Sequence, residues 1–326
     1  MYFSISSFPD YGRLARLDRD ALVQGARVTH DEYSKEHASD FALWKAWTDA
    51  DGDTWWDSPW GKGRPGWHLE CSVMAREFLG DTIDIHMGGE DLVFPHHENE
   101  IAQSEAATGK PFVRYWLHNG YLLVNGTKMS KSAGNFYTLR DILAQGYSGR
   151  EVRYLLLSVH YRQPLNFTFE GLHAARSALQ RLDDTRARLA DVIGDGVDDS
   201  PSAEWADTLE TARALWREAL DDDFNTSPAL GALFDAVREM NRRLDGGMSA
   251  ADAAAARGFL DEADTVLAVA PAGDEDVPAE VRALVEERTE ARKAKDFSRA
   301  DAARDALKEK GYTVDDTPDG PRVKRI

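Results

Sequence analysis

Cys71, His96 and Glu100 are residues whose types could do chemistry together. Cysteine thiolate, imidazole and carboxylate are all zinc ligands. A helix through Pro95-His-His-Glu-Asn-Glu100 places His96 and Glu100, four apart, on one face. Cys71 precedes that element and could close the site from another segment. Three ligands leave one coordination position for a fourth side chain or a substrate. The pattern alone leaves a second possibility open, because a His-His pair near a helix start is also at home as a surface or internally satisfied histidine. Cys71 is the one cysteine of the chain, so no internal disulfide forms. Its roles narrow to packing, metal binding or nucleophilic chemistry.

Lys128-Met-Ser-Lys-Ser132 is a second chemical signal. Two ammonium groups and two hydroxyls on a loop suit a polyphosphate, because ammonium offsets the charge that builds as pyrophosphate leaves. Lys131 is the expected direct contact, with Lys128 beside it. A solvated basic turn is the competing reading, and this pentapeptide after a strand and a turn is rare enough to disfavour it. Gly88-Gly89-Glu-Asp91 is a third signal. Glycines at a strand end let backbone approach a ligand, and Asp91 could accept from a ribose hydroxyl. Many turns look alike, so this signal is weak by itself.

The elements that position these groups are legible from periodicity. Residues 1–66 are polar and irregular, with Gly and Pro marking loops. A helix is predicted over 69–79, a short strand over 82–86 ending at Gly88-Gly89, and a helix from Pro95 to about 108. A strand over 121–124 turns at Asn125-Gly126. Alternating strand and helix favours an α/β domain with a parallel sheet. Beyond residue 150 the apolar spacing becomes three and four. Helices are predicted over 151–159, 168–192, 202–220, 228–245 and 249–268, which is a bundle. A Pro/Gly/Asp linker covers 271–278, one or two charged helices cover 279–310, and a small ribbon covers 312–326.

The 326 residues leave room for two or three domains. No run approaches the roughly 20 apolar residues of a membrane helix. The opening residues lack the basic patch and apolar stretch of a secretory signal. A soluble, cytoplasmic monomer is expected. The net charge is −18, with 11 Lys against 28 Arg. Acidic, lysine-poor surfaces suit high intracellular salt, and an ordinary acidic protein is the other explanation. Net charge does not exclude a nucleic-acid partner, since one local basic face is enough.

Taken in order, the motifs resemble a known family. Lys128-Met-Ser-Lys-Ser132 resembles the signature loop of class I aminoacyl-tRNA synthetases. Gly66-Trp-His-Leu-Glu-Cys-Ser72, Asp84-Ile-His86 and Phe94-Pro-His-His-Glu-Asn-Glu-Ile-Ala-Gln-Ser104 are similar to cysteinyl-tRNA synthetases. So are Ser6-Ser-Phe-Pro-Asp-Tyr-Gly12, Asp40-Phe-Ala-Leu-Trp-Lys45, His160-Tyr-Arg162, Asp221-Asp-Asp-Phe-Asn-Thr226, Glu290-Ala-Arg-Lys-Ala-Lys-Asp296 and Ala300-Asp-Ala-Ala-Arg-Asp305. The resemblance covers essentially the whole chain. It implies the second half of a Rossmann-type α/β catalytic domain over 1–147, with zinc site and signature loop. A helical stem-contact and anticodon-binding bundle over 148–270 and a small tRNA-binding element over 279–326 would follow.

The resemblance further implies ATP-dependent activation of L-cysteine and its transfer to tRNA(Cys). One zinc ion would sit on Cys71, His96 and Glu100, and Trp67 and His86 would line the cysteine pocket. ATP, with Mg2+, would meet the Gly88-Gly89 backbone, Asp91 and Lys131. The departures are specific. The family's Cys-Gly-Pro-Thr segment, with a fourth zinc ligand, and its His-x-Gly-His motif, which binds ATP phosphates, do not occur in these 326 residues. Met87 and Glu90 replace a glycine and a small residue in the glycine turn, which bears on the detail of the adenosine contact. The chain alone is therefore expected to be inactive. Two alternatives remain at this level: a ligase joining cysteine to an amino sugar through the same adenylate, and a non-catalytic tRNA-binding fragment. The long helical C-terminal part argues against the first.

Overall fold

The computed structural model describes residues 1–17, 40–130, 134–194, 200–271, 278–317 and 320–325. The chain divides into two compact units, Met1–Leu123 with Tyr161–Leu165, and Val124–His160 with Asn166–Ile326.

The first unit opens with two short antiparallel pairs. β1 (Tyr2–Phe3) pairs with β2 (Phe41–Ala42), and β3 (Trp44–Ala46) with β4 (Gly63–Pro65). α1 (Trp67–Leu79), β5 (Ile83–Gly89), α2 (Glu98–Thr108) and β6 (Val113–Asn119) follow. β5 and β6 are parallel, with Ile83 opposite Val113 and Gly89 opposite Asn119. Parallel neighbours need a crossover, and α2 supplies it. Ile83, Ile101 and Phe112 form one buried cluster, and Ile5, Tyr11, Phe41 and Ala102 another. Adjacent residues of α2 thus enter different clusters. The expected parallel sheet is present, but β6 went unrecognised in the sequence because Arg114, Tyr115 and His118 interrupt its apolar run. A parallel pair is normally covered on both faces. Here Ile85, Met87 and Tyr115 remain exposed on β5 and β6, and Phe78 on α1 is 81% exposed.

β7 (Leu122–Val124), β8 (Thr127–Lys128) and β9 (Leu165–Phe167) form a sheet in the order β8–β7–β9. Asn125 and Gly126, both at positive φ, make the tight turn between β7 and β8. The second unit continues with α3 (Leu139–Ala144), α4 (Gly149–Leu157), α5 (Phe169–Ile193), α6 (Ala203–Asp221), α7 (Thr226–Asp245) and α8 (Ala250–Leu267). α9 (Ala279–Lys293), α10 (Phe297–Glu309), β10 (Tyr312–Thr317) and β11 (Gly320–Arg325) end the chain. The predicted helices fall within a few residues of these bounds, and the C-terminal ribbon is the antiparallel pair β10–β11. No described helix is long and apolar enough to cross a membrane.

α5 to α8 share one core, in which Leu189, Trp205, Met240, Ala253 and Phe259 are fully enclosed. Trp205 Nε1 donates to the Asp252 carbonyl oxygen at 2.8 Å, and the Arg243 guanidinium lies 4.8 Å from its ring. Several helix arginines are neutralised by carboxylates: Arg213 and Arg217 by Glu262, Arg242 by Glu239, and Arg150 by Asp183. Replacing Trp205 by Ala is expected to cost about 3–5 kcal/mol, as large aromatic truncations in enclosed cores do. Urea unfolding followed by helical circular dichroism measures it. A loss below about 1 kcal/mol would mean that the bundle closes without the indole.

Candidate metal centre and nucleotide loop

Pro95 shapes the segment that carries His96. Residues preceding proline are pushed out of the helical region, and Phe94 is accordingly extended (φ −137°, ψ 132°) inside a wide turn over Val93–His97. Pro95, His96 and His97 have helical dihedrals and lead directly into α2, so the helical conformation begins at Pro95 as the sequence reading placed it. His96 lies in the wide turn and still reaches Glu100, four residues on.

Three elements bring the donors together. Cys71 comes from α1, His96 from the wide turn and Glu100 from α2. One donor atom from each lies within 4.8 Å of the others. His96 Nε2 is 2.6 Å from Glu100 Oε1, and His86 Nε2 on β5 is 3.2 Å from Glu100 Oε2. The Glu100 carboxylate is fully buried, and neither oxygen makes a hydrogen bond of good geometry with either imidazole. Two imidazoles and the Cys71 thiol thus crowd one buried carboxylate. A buried carboxylate without compensation is costly, and a cation at the convergence of thiol, imidazole and carboxylate relieves it. The soft sulfur beside a nitrogen and an oxygen suits zinc better than a hard cation. Burial, and next the Glu100 charge, push the Cys71 thiol up to about 11. His86, His97 and Glu100 form a second group whose donors also lie within 4.8 Å.

The surrounding side chains hold this arrangement, and sequence reasoning missed most of them. His68 Nδ1 meets His96 Nδ1 at 2.8 Å. Trp67 stacks on the His96 ring at 4.2 Å and is 55% exposed. Gln103 Nε2 donates to the His68 carbonyl oxygen at 2.5 Å and to Ser72 Oγ at 2.7 Å, tying α2 to α1. His97 Nδ1 meets His118 Nε2 at 2.8 Å. Burial, followed by the neighbouring imidazoles, lowers the His97 pKa to about 3. Burial also lowers that of His86, with Glu100 opposing. Glu98 is fully buried and accepts from the backbone N–H of Gly12 at 2.9 Å and Ala15 at 2.6 Å. Tyr11 Oη donates to Asn99 Oδ1 at 2.6 Å. The Ser6–Gly12 motif therefore anchors the chain start to α2. A signal was available, because three acidic or amide residues in succession at a helix start need partners when buried.

The glycines of the turn also have a packing role. A Cβ on Gly88 would lie 2.7 Å from His97 Cε1, so Gly88 makes room for that ring. A Cβ on Gly89 would lie 2.5 Å from Asp91 Oδ1, so this glycine leaves space for the exposed Asp91 carboxylate. Both replaced positions of the turn, Met87 and Glu90, are exposed.

The lysine loop begins on β8, where Lys128 is exposed. Asn135 ties its two ends: its Nδ2 donates to the carbonyl oxygens of Thr127 (3.4 Å) and Lys128 (3.2 Å), and its Oδ1 accepts from Ser130 N–H at 2.9 Å. Lys131 and Ser132 lie outside the described residues.

Comparison with known proteins gives a concordant result. Residues 1–177 match the family model for the class I (C) tRNA synthetase catalytic domain. Residues 215–270 match the DALR domain, and residues 274–322 the cysteinyl-tRNA ligase anticodon binding domain. The cysteine–tRNA ligase of Chlamydia pneumoniae is 51% identical over 329 residues, which cover 100% of this chain and 69% of that protein. That of Symbiobacterium thermophilum is 49% identical over 332 residues, covering 100% of this chain and 70% of that protein.

Proposed function

Since the chain belongs to the cysteinyl-tRNA synthetase family, we propose that it forms the thiol-selecting and signature-loop part of a site that activates L-cysteine with ATP for transfer to tRNA(Cys). The observation that carries this reading is the buried Glu100 carboxylate, whose unsatisfied oxygens face His96 and His86 beside Cys71.

Cys71, His96 and Glu100 hold one zinc ion in this reading. When bound, the ion supplies a soft Lewis-acidic contact for the substrate thiolate, which a serine hydroxyl cannot imitate, so discrimination needs no editing. Trp67, exposed on one face and stacked on His96 on the other, forms a wall of the cysteine pocket. His86 faces the pocket from β5, and burial keeps it neutral there. The Gly88-Gly89 backbone and Asp91 receive the adenosine, with Asp91 on the ribose hydroxyls. Lys128 and Lys131 meet the phosphates. The cysteine carboxylate attacks the α-phosphorus, the bond to pyrophosphate breaks, and Lys131 offsets the charge on the leaving oxygens. The terminal ribose hydroxyl of the tRNA then attacks the cysteinyl carbonyl and releases AMP. Most of the rate comes from positioning and electrostatics.

Residues 1–147 carry this chemistry in the proposal, with 148–270 and 279–326 as the parts that contact tRNA. The matches over 215–270 and 274–322 favour tRNA over an amino sugar as acceptor. A monomer in the cytoplasm, with Mg2+ accompanying ATP, completes the reading. The first test is metal content. About one zinc per purified chain is expected, weakly held because the family's fourth ligand is not among these residues. Cys71→Ala is expected to lose most of it. Equal zinc in both proteins would remove Cys71 from the ligand set.

A further inference from the structure

His68 and His96 face each other through their Nδ1 atoms at 2.8 Å, and both side chains are buried. We infer that His68 is a positioning residue that fixes the metal-facing nitrogen of His96. The inference rests on the metal reading above. A neutral imidazole has one N–H donor and one acceptor nitrogen. For His96 to offer the Nε2 lone pair to a cation, its proton must sit on Nδ1. That Nδ1–H donates to His68 Nδ1, and His68 then carries its own proton on Nε2. The hydrogen bond therefore selects the tautomer of His96 and sets the ring rotation that places Nε2 2.6 Å from Glu100 Oε1.

His68 is well placed to hold a neighbour still. It sits in the first turn of α1, one turn before Cys71. Its ring meets Phe41 edge-on at 5.6 Å and 87°. Its carbonyl oxygen accepts from Gln103, which lies on α2 three residues past Glu100. His68, through its ring and its main-chain carbonyl, thus connects the segments bearing Cys71, His96 and Glu100. The usual partner of a metal-bound imidazole is a carboxylate, a backbone carbonyl or water. A second imidazole orients the ring without adding negative charge to a site that already holds Glu100. Trp67 holds the ring's face and His68 its edge, so that Nε2 is the nitrogen facing Glu100.

The experiment measures zinc affinity of the whole 326-residue protein by competition with a chromophoric chelator, alongside the visible spectrum of the Co2+-substituted protein. His68→Leu removes the acceptor. His68→Asn restores an acceptor oxygen near the Nδ1 position, whereas His68→Gln places it one bond too far. His68→Leu and His68→Gln are expected to weaken zinc binding on the order of 10–100-fold, as loss of such partners does. His68→Asn is expected to recover most of that loss and to keep the Co2+ spectrum of the unmodified protein. If His68→Leu does not fold, the Asn–Gln pair decides the question. Affinity in His68→Gln equal to the unmodified protein, or His68→Asn as weak as His68→Gln, overturns the inference while leaving the metal site standing. An unmodified protein that binds no zinc overturns both.

Discussion

Replacing Lys131 by Ala is expected to slow cysteinyl-adenylate formation about a hundredfold or more, the cost of removing one preorganised charge from a developing anion. The measurement belongs in a protein that also carries a His-x-Gly-His segment, so that the reaction can be followed at all. Negative charge on the bridging oxygen grows as the bond to pyrophosphate breaks, so Lys131 acts more strongly on the transition state than on bound ATP. The loss is therefore expected in kcat, with a smaller change in KM for ATP. The hairpin of β7 and β8 and the Asn135 side chain, which bonds Thr127, Lys128 and Ser130, provide the frame from which this loop extends. A rate within about twofold of the unmodified protein would contradict the role assigned to Lys131.

How much of this was legible in the sequence depended on the scale of the interaction. The bundle helices were readable because each buries one stripe: α5 presents Leu172, Leu179, Leu182 and Leu189 at helical spacing, and α8 presents Ala256, Phe259, Leu260 and Ala263. β6 was not, because its register is set by a parallel partner thirty residues earlier rather than by its own alternation. Cys71, His96 and Glu100 were found as zinc-ligand types, and the structure brings their donors together. The helical start at Pro95 was legible because proline drives the residue before it into an extended conformation, and Phe94 is extended. His68, His97, His118, Glu98 and Gln103 were not singled out. Their importance lies in which nitrogen or oxygen meets which, across 21 to 86 residues of chain. Gly88 was read as an opening for a ligand, and the packing role of its missing side chain, which makes room for His97, was not legible.

ATP–pyrophosphate exchange tests the central claim most directly, namely that this chain holds the thiol-selecting and signature-loop groups of a cysteine-activating site. The 326-residue chain contains one cysteine and no His-x-Gly-His segment, so the groups that grip the ATP phosphates from the other side are not among its residues. Ile85, Met87 and Tyr115 leave apolar sheet surface exposed, and surface of this kind marks a place for further structure to pack. Exchange is to be measured with the chain alone and with a His-x-Gly-His-bearing N-terminal segment of a relative, supplied separately or fused upstream, using cysteine or serine as substrate. The expected result is background exchange by the chain alone, and exchange that depends on cysteine and not on serine once the segment is present. Robust exchange by the 326-residue chain alone, or exchange supported equally by serine, would contradict the account.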